Sequence, residues 1–522
     1  MKKLYKYLAL LSSFILFFNL TACGNQQPDK ENNSTNSATA GKLTEDIVTA
    51  AEDSFTEEVT LLIDFHGWNP TINDTPTPEN PNVFNSPARI AEAFMKLYPN
   101  VKIEWARTKP IGSEEEAAQW FTTQLNANTA PAIIYTWGTK FQSRGWYLDL
   151  DEYLDQPNPF IEGNEKWRDI FPEYLWKNTN VLGGNQKVLA LPVTLYPGPA
   201  TGYYYNKEAF LKAGITQCPA TYEELVEDVN KLKALGYHGI APHPYFKNND
   251  LDQWIFGFIT APSVCNYIMD KADYDRNGSV DSAELARGVL EGIYNPSQHD
   301  YARELYDQIK RYYTEVLEPG WESIDYEDLW NKGEVAFYED GLWRLTSENN
   351  NTARKFDYGI FPEVMMTRDT TEFSSEISYT ENGPYQPDPD LSLNIMKDTV
   401  KDNPAMLKAA ILFLQFLTTP ENVTMLVQEN GSTIGAVKGS EPPAQLSEWL
   451  NQPFPIVPKA TWPKGFTGEY DSSVNKTFES WVKNELDDET FYREINELQV
   501  KGAKDYIKSM QIDTEGWTMN QQ

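Results

Sequence analysis

Two periodicities of apolar residues alternate along this chain. Val59-Thr60-Leu61-Leu62-Ile63-Asp64-Phe65 is a near-continuous β-prone run, the pattern of a strand buried on both faces. Past a Pro/Asn-rich loop from Pro70 to Asn85, Ile90, Ala91, Phe94 and Leu97 recur at helical spacing, with Ser86 as the expected cap and Pro87 as first helical residue. Val101 to Trp105 reads as a second strand. Ser113 opens a second helix, with Glu114 to Glu116 in its first turn, where acids suit the dipole. Ala132 to Tyr135 reads as a third strand. Strand, helix, strand, helix, strand predicts an open α/β sheet with right-handed crossovers.

Leu189 to Phe210, LALPVTLYPGPATGYYYNKEAF, breaks that rhythm. Pro192, Pro197 and Pro199 forbid one uninterrupted central strand. Two short extended pieces joined by a stiff, aromatic-rich passage fit instead, so this stretch is expected to cross between two lobes. Beyond it, Thr221 and Glu224 form a capping box for a helix carrying Leu225, Val229 and Leu232 and stopping near Gly236. Val335 to Tyr338 is the next clear strand, with a turn expected at Asp340-Gly341. Glu376 to Tyr379 and Leu391 to Ile395 are strand-like. Asn403 caps a helix beginning at Pro404, and Pro420 starts another, assigned to the second lobe. Phe478 to Met510 reads as one helical stretch.

Length and composition narrow the class. At 522 residues the chain exceeds one core, and a net charge of −32 disfavours nucleic acid as a partner. The 15 tryptophans and 29 tyrosines supply flat amphipathic rings suited to cores and to sugar faces. Three cysteines are too few for a disulfide scaffold. Cys218 and Cys265 could pair in an oxidising exterior, but sequence gives no distance, and two separate thiols are expected.

The N-terminus carries an address. Lys2, Lys3 and Lys6 precede an apolar run from Leu8 to Leu20, and Leu20-Thr21-Ala22-Cys23 resembles a bacterial lipobox. Cys23 is therefore the expected lipidation site after removal of residues 1–22. Residues 23–54 are polar and small, the composition of a disordered tether. The expectation is a monomeric body at the extracytoplasmic face of a membrane, on a Gram-positive cell surface.

Gly202-Tyr203-Tyr204-Tyr205-Asn206-Lys207-Glu208-Ala209-Phe210 closely resembles the YYNKDLF segment of bacterial solute-binding proteins of carbohydrate ABC importers, the maltose-binding-protein-like group. Pro219 to Leu225 resembles that family's P-x-T-x-x-E-L helix start. Gly333 to Trp343 resembles its GxxAMxxxGxW segment. Thr419 to Gly431 resembles its SPENQ…ENG segment, and Asp357 to Pro362 its second lobe crossing. The resemblance implies an α/β, two-lobed periplasmic-binding-protein-like (type II) fold with a cleft between lobes, closing on an oligosaccharide that is passed to permease subunits and their ATPase. It implies an N-terminal lobe from residues 55–192 and 357–418, and a C-terminal lobe from 193–356 and 419–522.

Ligands of open α/β sheets sit beyond the carboxyl ends of strands, where Trp68 and Trp137 fall. By position in the resemblance, Trp343 is the expected sugar-stacking aromatic and Tyr196 a further contact. Arg344, with Lys140 or Arg144 as alternatives, would answer an acidic sugar.

Asp273-Tyr274-Asp275-Arg276-Asn277-Gly278-Ser279-Val280-Asp281-Ser282-Ala283-Glu284 matches the twelve-residue EF-hand loop. Asp273, Asp275, Asn277, Ser279 (through its carbonyl), Asp281 and Glu284 are the expected calcium ligands. Val264, Tyr267 and Ile268 before the loop, and Leu285, Val289, Leu290 and Ile293 after it, have helical spacing. With no partner hand evident, a structural calcium is expected. Some uronate-oligosaccharide-binding members of the family carry a similar loop. The competing class is a lipid-anchored glycoside hydrolase or lyase that also carries calcium. Two carboxylates suffice for glycoside hydrolysis and the chain has 76 acids, but no catalytic signature appears and four histidines leave little for a His-based mechanism. Binding without turnover is expected.

Overall fold

The computed structural model describes residues 55–71, 83–106, 114–242, 266–276, 280–374, 378–379, 387–451, 455–456, 463 and 465–518. Cys23, the tether, Val264, Cys265, Asn277 and Ser279, and the expectations placed on them, lie outside these described residues.

The first lobe is built on a sheet of order β2-β1-β3-β12-β4, from β1 (Val59–Asp64), β2 (Val101–Trp105), β3 (Ile133–Tyr135), β4 (Leu191–Pro192) and β12 (Ser392–Ile395). β1 pairs parallel with both β2 and β3, the βαβ arrangement predicted, while β12 enters antiparallel to β3 and β4. Leu61, Ile63, Phe65, Ile133, Leu393 and Ile395 form the floor of its core, which continues into Phe94 and Phe413 of the covering helices.

The helix Ser86–Leu97 is capped from elsewhere in the chain. Its N-cap is Asn85 rather than Ser86, and neither Asn85 nor another local side chain closes the cap. Glu429 instead accepts from the backbone N–H of Asn85 (2.9 Å) and Ser86 (2.5 Å) and from Ser86 Oγ (2.5 Å). A carboxylate there satisfies open amides and suits the positive end of the helix dipole. Glu429 belongs to the helix Pro420–Asn430, whose Val423, Leu426 and Val427 are buried in the first-lobe core. That helix therefore packs on the first lobe, not the second. Local pattern could not reveal this, because the segment's partner lies more than 300 residues upstream.

Among the described residues no single helix is long and apolar enough to cross a membrane. The bent pair Pro404–Leu417 and Pro420–Asn430 passes on composition only, at an angle of 69°. Its apolar residues Phe413, Leu414, Leu417 and Val423 are fully buried in the core.

The second lobe has a sheet of order β7-β8-β6-β9, with β6 (Thr201–Asn206), β7 (His238–Ala241), β8 (Val335–Gly341) and β9 (Tyr358–Pro362). The capping box at Thr221 and Glu224 forms as expected, and Leu225, Val229 and Leu232 are buried. Two expectations change here. β8 runs on through Asp340-Gly341, so the turn begins at Leu342. The predicted C-terminal helix is two, Gly468–Val482 and Asp488–Met510. Asn484 takes a positive φ of 59°, and Asp487 restarts the helix by accepting from Thr490 N. Trp481 stacks on Phe491 across the break at 3.9 Å between ring centroids.

Three strands join the lobes. β5 (Thr194–Tyr196) lies between β11 (Asp388–Pro389) and β13 (Ile434–Gly435), antiparallel to both. The stretch Leu189 to Phe210 thus places β4 in the first sheet, β5 in the joining sheet and β6 in the second, as its prolines suggested. Tyr358 to Pro362 is no crossing: β9 pairs along its length with β6 inside the second lobe. The return passes through β11. A further pair, β10 (Ser378–Tyr379) with β14 (Pro455–Ile456), stands apart.

Candidate functional site

The carboxyl ends of β1 and β3 carry a cluster of rings. His66 stacks on Tyr135 (5.6 Å between centroids, 14° between planes) and meets Trp137 edge-on at 5.3 Å. His66 and Trp137 both hold positive φ, 56° and 53°. Non-glycine residues rarely take that conformation, and such strain collects at functional sites.

Each turn is fixed by buried polar partners. Asp64 Oδ1 accepts from His66 N (2.8 Å) and Asn69 Nδ2 (2.9 Å). Thr136 donates to Asn394 Oδ1 at 2.6 Å, and Asn394 Nδ2 donates to the carbonyls of Gly138 and Leu189. Gly138 is required where it stands: its φ is 74°, and a Cβ there would lie 2.5 Å from the Asn180 carbonyl oxygen. Trp137 is partly exposed at the tip of this turn, with Lys140 Nζ 5.7 Å from its ring centroid.

Trp68 is largely buried, edge-on to Phe84 at 5.5 Å. It ends the short turn His66–Trp68 that follows β1. Its indole and the Tyr196 hydroxyl both face Asp390, a residue the sequence reading did not single out. Asp390 Oδ2 accepts from Thr194 Oγ1 at 3.2 Å, and Asp390 N donates to the Thr194 carbonyl at 2.9 Å. Burial pushes the Asp390 carboxyl up to about 6, against the opposing pull of the donors at Tyr196, Thr194 and Trp68. In turn, burial and the Asp390 charge hold the Tyr196 and Tyr135 hydroxyls well above their usual range.

On the second lobe, Trp343 follows the end of β8. Thr201 pairs with Gly341, and Leu342 N donates to the Ala200 carbonyl at 2.8 Å. This end of β8 is therefore tied to the segment that has just left β5, which sets Trp343 at the crossing edge of its lobe. Its ring folds back over Gly341, where a Cβ would lie 1.9 Å from Trp343 Cη2. Trp343 remains partly exposed, and its Nε1 donates to Asp340 Oδ1 at 2.7 Å.

Arg344 does not present its charge to a ligand. It is paired with Glu327 (3.1 Å), Asp340 (3.5 Å) and Glu348 (2.5 Å), with its guanidinium 3.7 Å from the Tyr338 ring centroid. Its side chain is 10% exposed. Three carboxylates and an aromatic face make it a structural cation. Arg144, the alternative, bonds the Ser509 carbonyl at the end of the last helix. It borders a cavity of about 430 Å³ between the helix Glu114–Asn126 and Phe466, Tyr506 and Met510. Of the residues expected to touch ligand, only the alternative Arg144 lines that cavity.

In the EF-hand-like loop, carboxylate oxygens of Asp273, Asp275 and Glu284 lie within 4.8 Å of one another. Asp281 caps the helix Ser282–Leu290, accepting from Ala283 N and Glu284 N, both at 2.8 Å. Glu284 Oε1 accepts from Tyr274 N (2.7 Å) and Asp275 N (3.1 Å), which folds the loop round this carboxylate. Burial raises its pKa. Val280 is buried, as are Ile268, Leu285, Val289 and Leu290. Tyr267, expected on the inward face, is 53% exposed.

The family model for bacterial extracellular solute-binding proteins matches residues 82–424. The chain belongs to that family. An uncharacterized ABC transporter extracellular-binding protein of Pyrococcus horikoshii is 22% identical over 262 residues, 49% of this chain and 52% of that protein. A protein of Brucella abortus named only as a binding protein is 29% identical over 195 residues, 36% of this chain. The match spans 43% of the Brucella protein's length.

The solved structures extend the likeness to nearly the whole fold. A chitin oligosaccharide binding protein superposes with a TM-score of 0.55 at 16% identity, covering 86% of this chain and 99% of that one. The maltose-bound MalE3 of T. maritima gives 0.55 at 16%, covering 84% and 99%. RafE in complex with raffinose gives 0.53 at 17%, covering 85% and 100%. At such identities the likeness establishes the two-lobed type II binding-protein fold.

Proposed function

We propose that this solute-binding protein captures an oligosaccharide between its lobes and delivers it to an ABC importer, held at the extracytoplasmic face of the cell membrane by lipid on Cys23. The ring cluster of His66, Tyr135 and Trp137 at the strand ends, beside Trp68 and Tyr196 at the joining strands, carries this reading. Flat rings with polar edges stack on the apolar faces of sugars while neighbouring donors and acceptors meet the hydroxyls. Trp343, at the crossing edge of the other lobe, supplies the opposing platform. The narrow joining sheet of β5, β11 and β13 acts as hinge, because few residues need to change backbone angles for the lobes to close. Solved proteins of this fold in complex with raffinose and maltose support the sugar class. The extracellular-binding protein of Pyrococcus supports the ABC importer as recipient.

A structural calcium belongs to the same reading. The described donors fit a hard cation: carboxylates converge, and their mutual repulsion is relieved by the ion. Asp273, Asp275 and Glu284 would hold it, with Asp281 at the helix cap and Asn277 and Ser279 completing the motif. The ion would brace the loop between the helices Asn266–Ala272 and Ser282–Leu290.

Calorimetry with raffinose, maltooligosaccharides, chitin oligosaccharides and uronate oligosaccharides, followed by chromatography of each mixture, tests the proposal. Binding with the sugar recovered intact is expected. Cleaved product would replace capture with an enzymatic role.

A further inference from the structure

Asp390 has a place in the molecule that no motif marked. It sits where three parts of the chain meet: the turn after β1, through Trp68; the first joining strand, through Thr194 and Tyr196; and the return strand β11, which it follows directly. Its backbone is pinned to β5, since Asp390 N donates to the Thr194 carbonyl. Yet the residue keeps part of its surface open, as do Tyr196, Tyr135 and Trp137 around it.

We infer that Asp390 is the hinge-side acceptor for a ligand hydroxyl, and that it orients Trp68 and Tyr196 toward the same sugar ring. This rests on the oligosaccharide reading above and adds the residue that reads the sugar's polar edge. A carboxylate has about four lone-pair positions and takes hydroxyl hydrogens in short, charge-assisted bonds. Thr194 takes one of them, and Tyr196 and Trp68 face two others, which leaves one for the ligand. The aromatic neighbours are bound to favour sugar faces but cannot choose between hydroxyl configurations. A fixed carboxylate beside them can, because an unmatched buried acceptor is costly. Its position on the return strand also means that hinge movement and ligand contact act on one side chain.

The site has a built-in reporter. Asp390 titrates near pH 6, within reach of ordinary buffers. Other ionisable groups near it are Tyr135 and Tyr196, both too basic to change there, together with His66 against Tyr135 and Lys140 against Trp137. Asp388, two residues earlier, takes a hydrogen bond from Asn178. The carboxylate form accepts the ligand hydroxyl in a charge-assisted bond beside its other donors, whereas the acid form spends a position on its own proton, so affinity rises with pH through about 6. A required deprotonation at that pKa makes binding about tenfold weaker at pH 5 than at pH 7.5.

The experiment compares the wild-type chain with Asp390→Asn from pH 5 to 8. Affinity is measured by calorimetry against whichever of raffinose, maltotriose, chitotriose and a trigalacturonate the wild type binds. Tryptophan emission of the sugar-free protein is recorded in parallel. The expected result is the tenfold rise for the wild type, a flat profile and weaker binding for the variant, and an emission change near pH 6 present only in the wild type. A dependence that persists in the Asn variant would assign it to His66 and overturn the inference. So would an Asn variant that binds as tightly as wild type at pH 7.5. If the wild type binds no sugar, the capture reading fails and this inference with it. If sugar binds but ignores both pH and the substitution, only the inference fails.

Discussion

Trp343 donates its indole N–H to Asp340 Oδ1 at 2.7 Å while its ring lies over Gly341 between them. The three residues form one device. Asp340 fixes the edge of the ring, and the bare Cα of Gly341 accepts its face. Tyr204 donates to the Gly341 carbonyl at 2.9 Å and holds the strand end below. Gly341→Ala puts a methyl group where the ring now sits. The expected outcome is a folded protein whose affinity for its sugar falls by about 1–3 kcal/mol, because the stacking platform is displaced. Trp343→Ala should match it in calorimetry. Unchanged affinity in both variants would remove Trp343 from the binding surface.

Arg344 stands next to this device but serves the fold. Its guanidinium neutralises Glu348, which is 1% exposed and also receives Arg354 at 3.1 Å and Trp330 Nε1 at 3.2 Å. Removing one partner of a buried pair leaves an uncompensated charge, a cost of about 3–5 kcal/mol. Arg354 offsets part of that here, so Arg344→Ala is expected to lose about 2–3 kcal/mol in urea unfolding. Discrimination between neutral and uronate sugars should not change. A specific loss of acidic ligands with full stability would restore Arg344 to the site.

The first-lobe strands β1 and β3 were legible as near-continuous apolar runs and β2 as an apolar-polar alternation, with helical spacing between them. The crossing at Leu189 to Phe210 was legible for a different reason: prolines cannot serve a central ladder, so Pro192, Pro197 and Pro199 had to mark its breaks. Trp68 and Trp137 were found by the rule for strand ends, and both stand there. Asp390 was not, since Asp388-Pro389-Asp390 reads as an acidic turn in an acidic chain, and only the pairing of β11 with β5 gives it a role. The same limit explains the helix Pro420–Asn430. Its apolar face announces a helix, but which lobe receives that face depends on Glu429 reaching Ser86, a contact with no local trace.

Asp307 provides a pH signature on the second lobe. It lies beneath Tyr492, whose hydroxyl donates to Oδ1 at 2.5 Å, and burial raises its carboxyl to about 6. The folded state thus holds this proton more tightly than the unfolded state. Below the unfolded pKa both states are protonated and nothing is lost; as pH rises toward 6 the unfolded chain ionises freely and the folded one resists. Asp307 therefore destabilises the protein progressively from about pH 4 to 6, by about 3 kcal/mol before solvent screening of its exposed part. Asp307→Asn should be more stable than wild type at pH 7, with the difference shrinking toward pH 4 in urea titrations. A difference independent of pH would place the proton elsewhere.

The calcium loop gives a test that does not depend on any sugar. Asp273 is buried, Glu284 is half-buried, and their oxygens approach one another and Asp275 within 4.8 Å. An ion bound only by the folded chain must stabilise it, by about 2.7 kcal/mol at a concentration one hundred times its dissociation constant. The helix that follows the loop packs against the long last helix Asp488–Met510. Arg287 on it stacks over Tyr274 of the loop at 3.7 Å, and Glu291 accepts from Thr518 N at 3.1 Å. Loosening of the loop should therefore reach the C-terminal segment. A calcium chelator is expected to lower the melting temperature of the wild type by several degrees, reversibly on adding calcium, and to increase hydrogen exchange in both the loop and residues 511–518. Glu284→Gln should melt near the chelated wild type and ignore the chelator, because it loses a charge where the motif closes on the ion. A wild type whose melting and exchange ignore the chelator would show the loop to be an acidic turn held by its own hydrogen bonds.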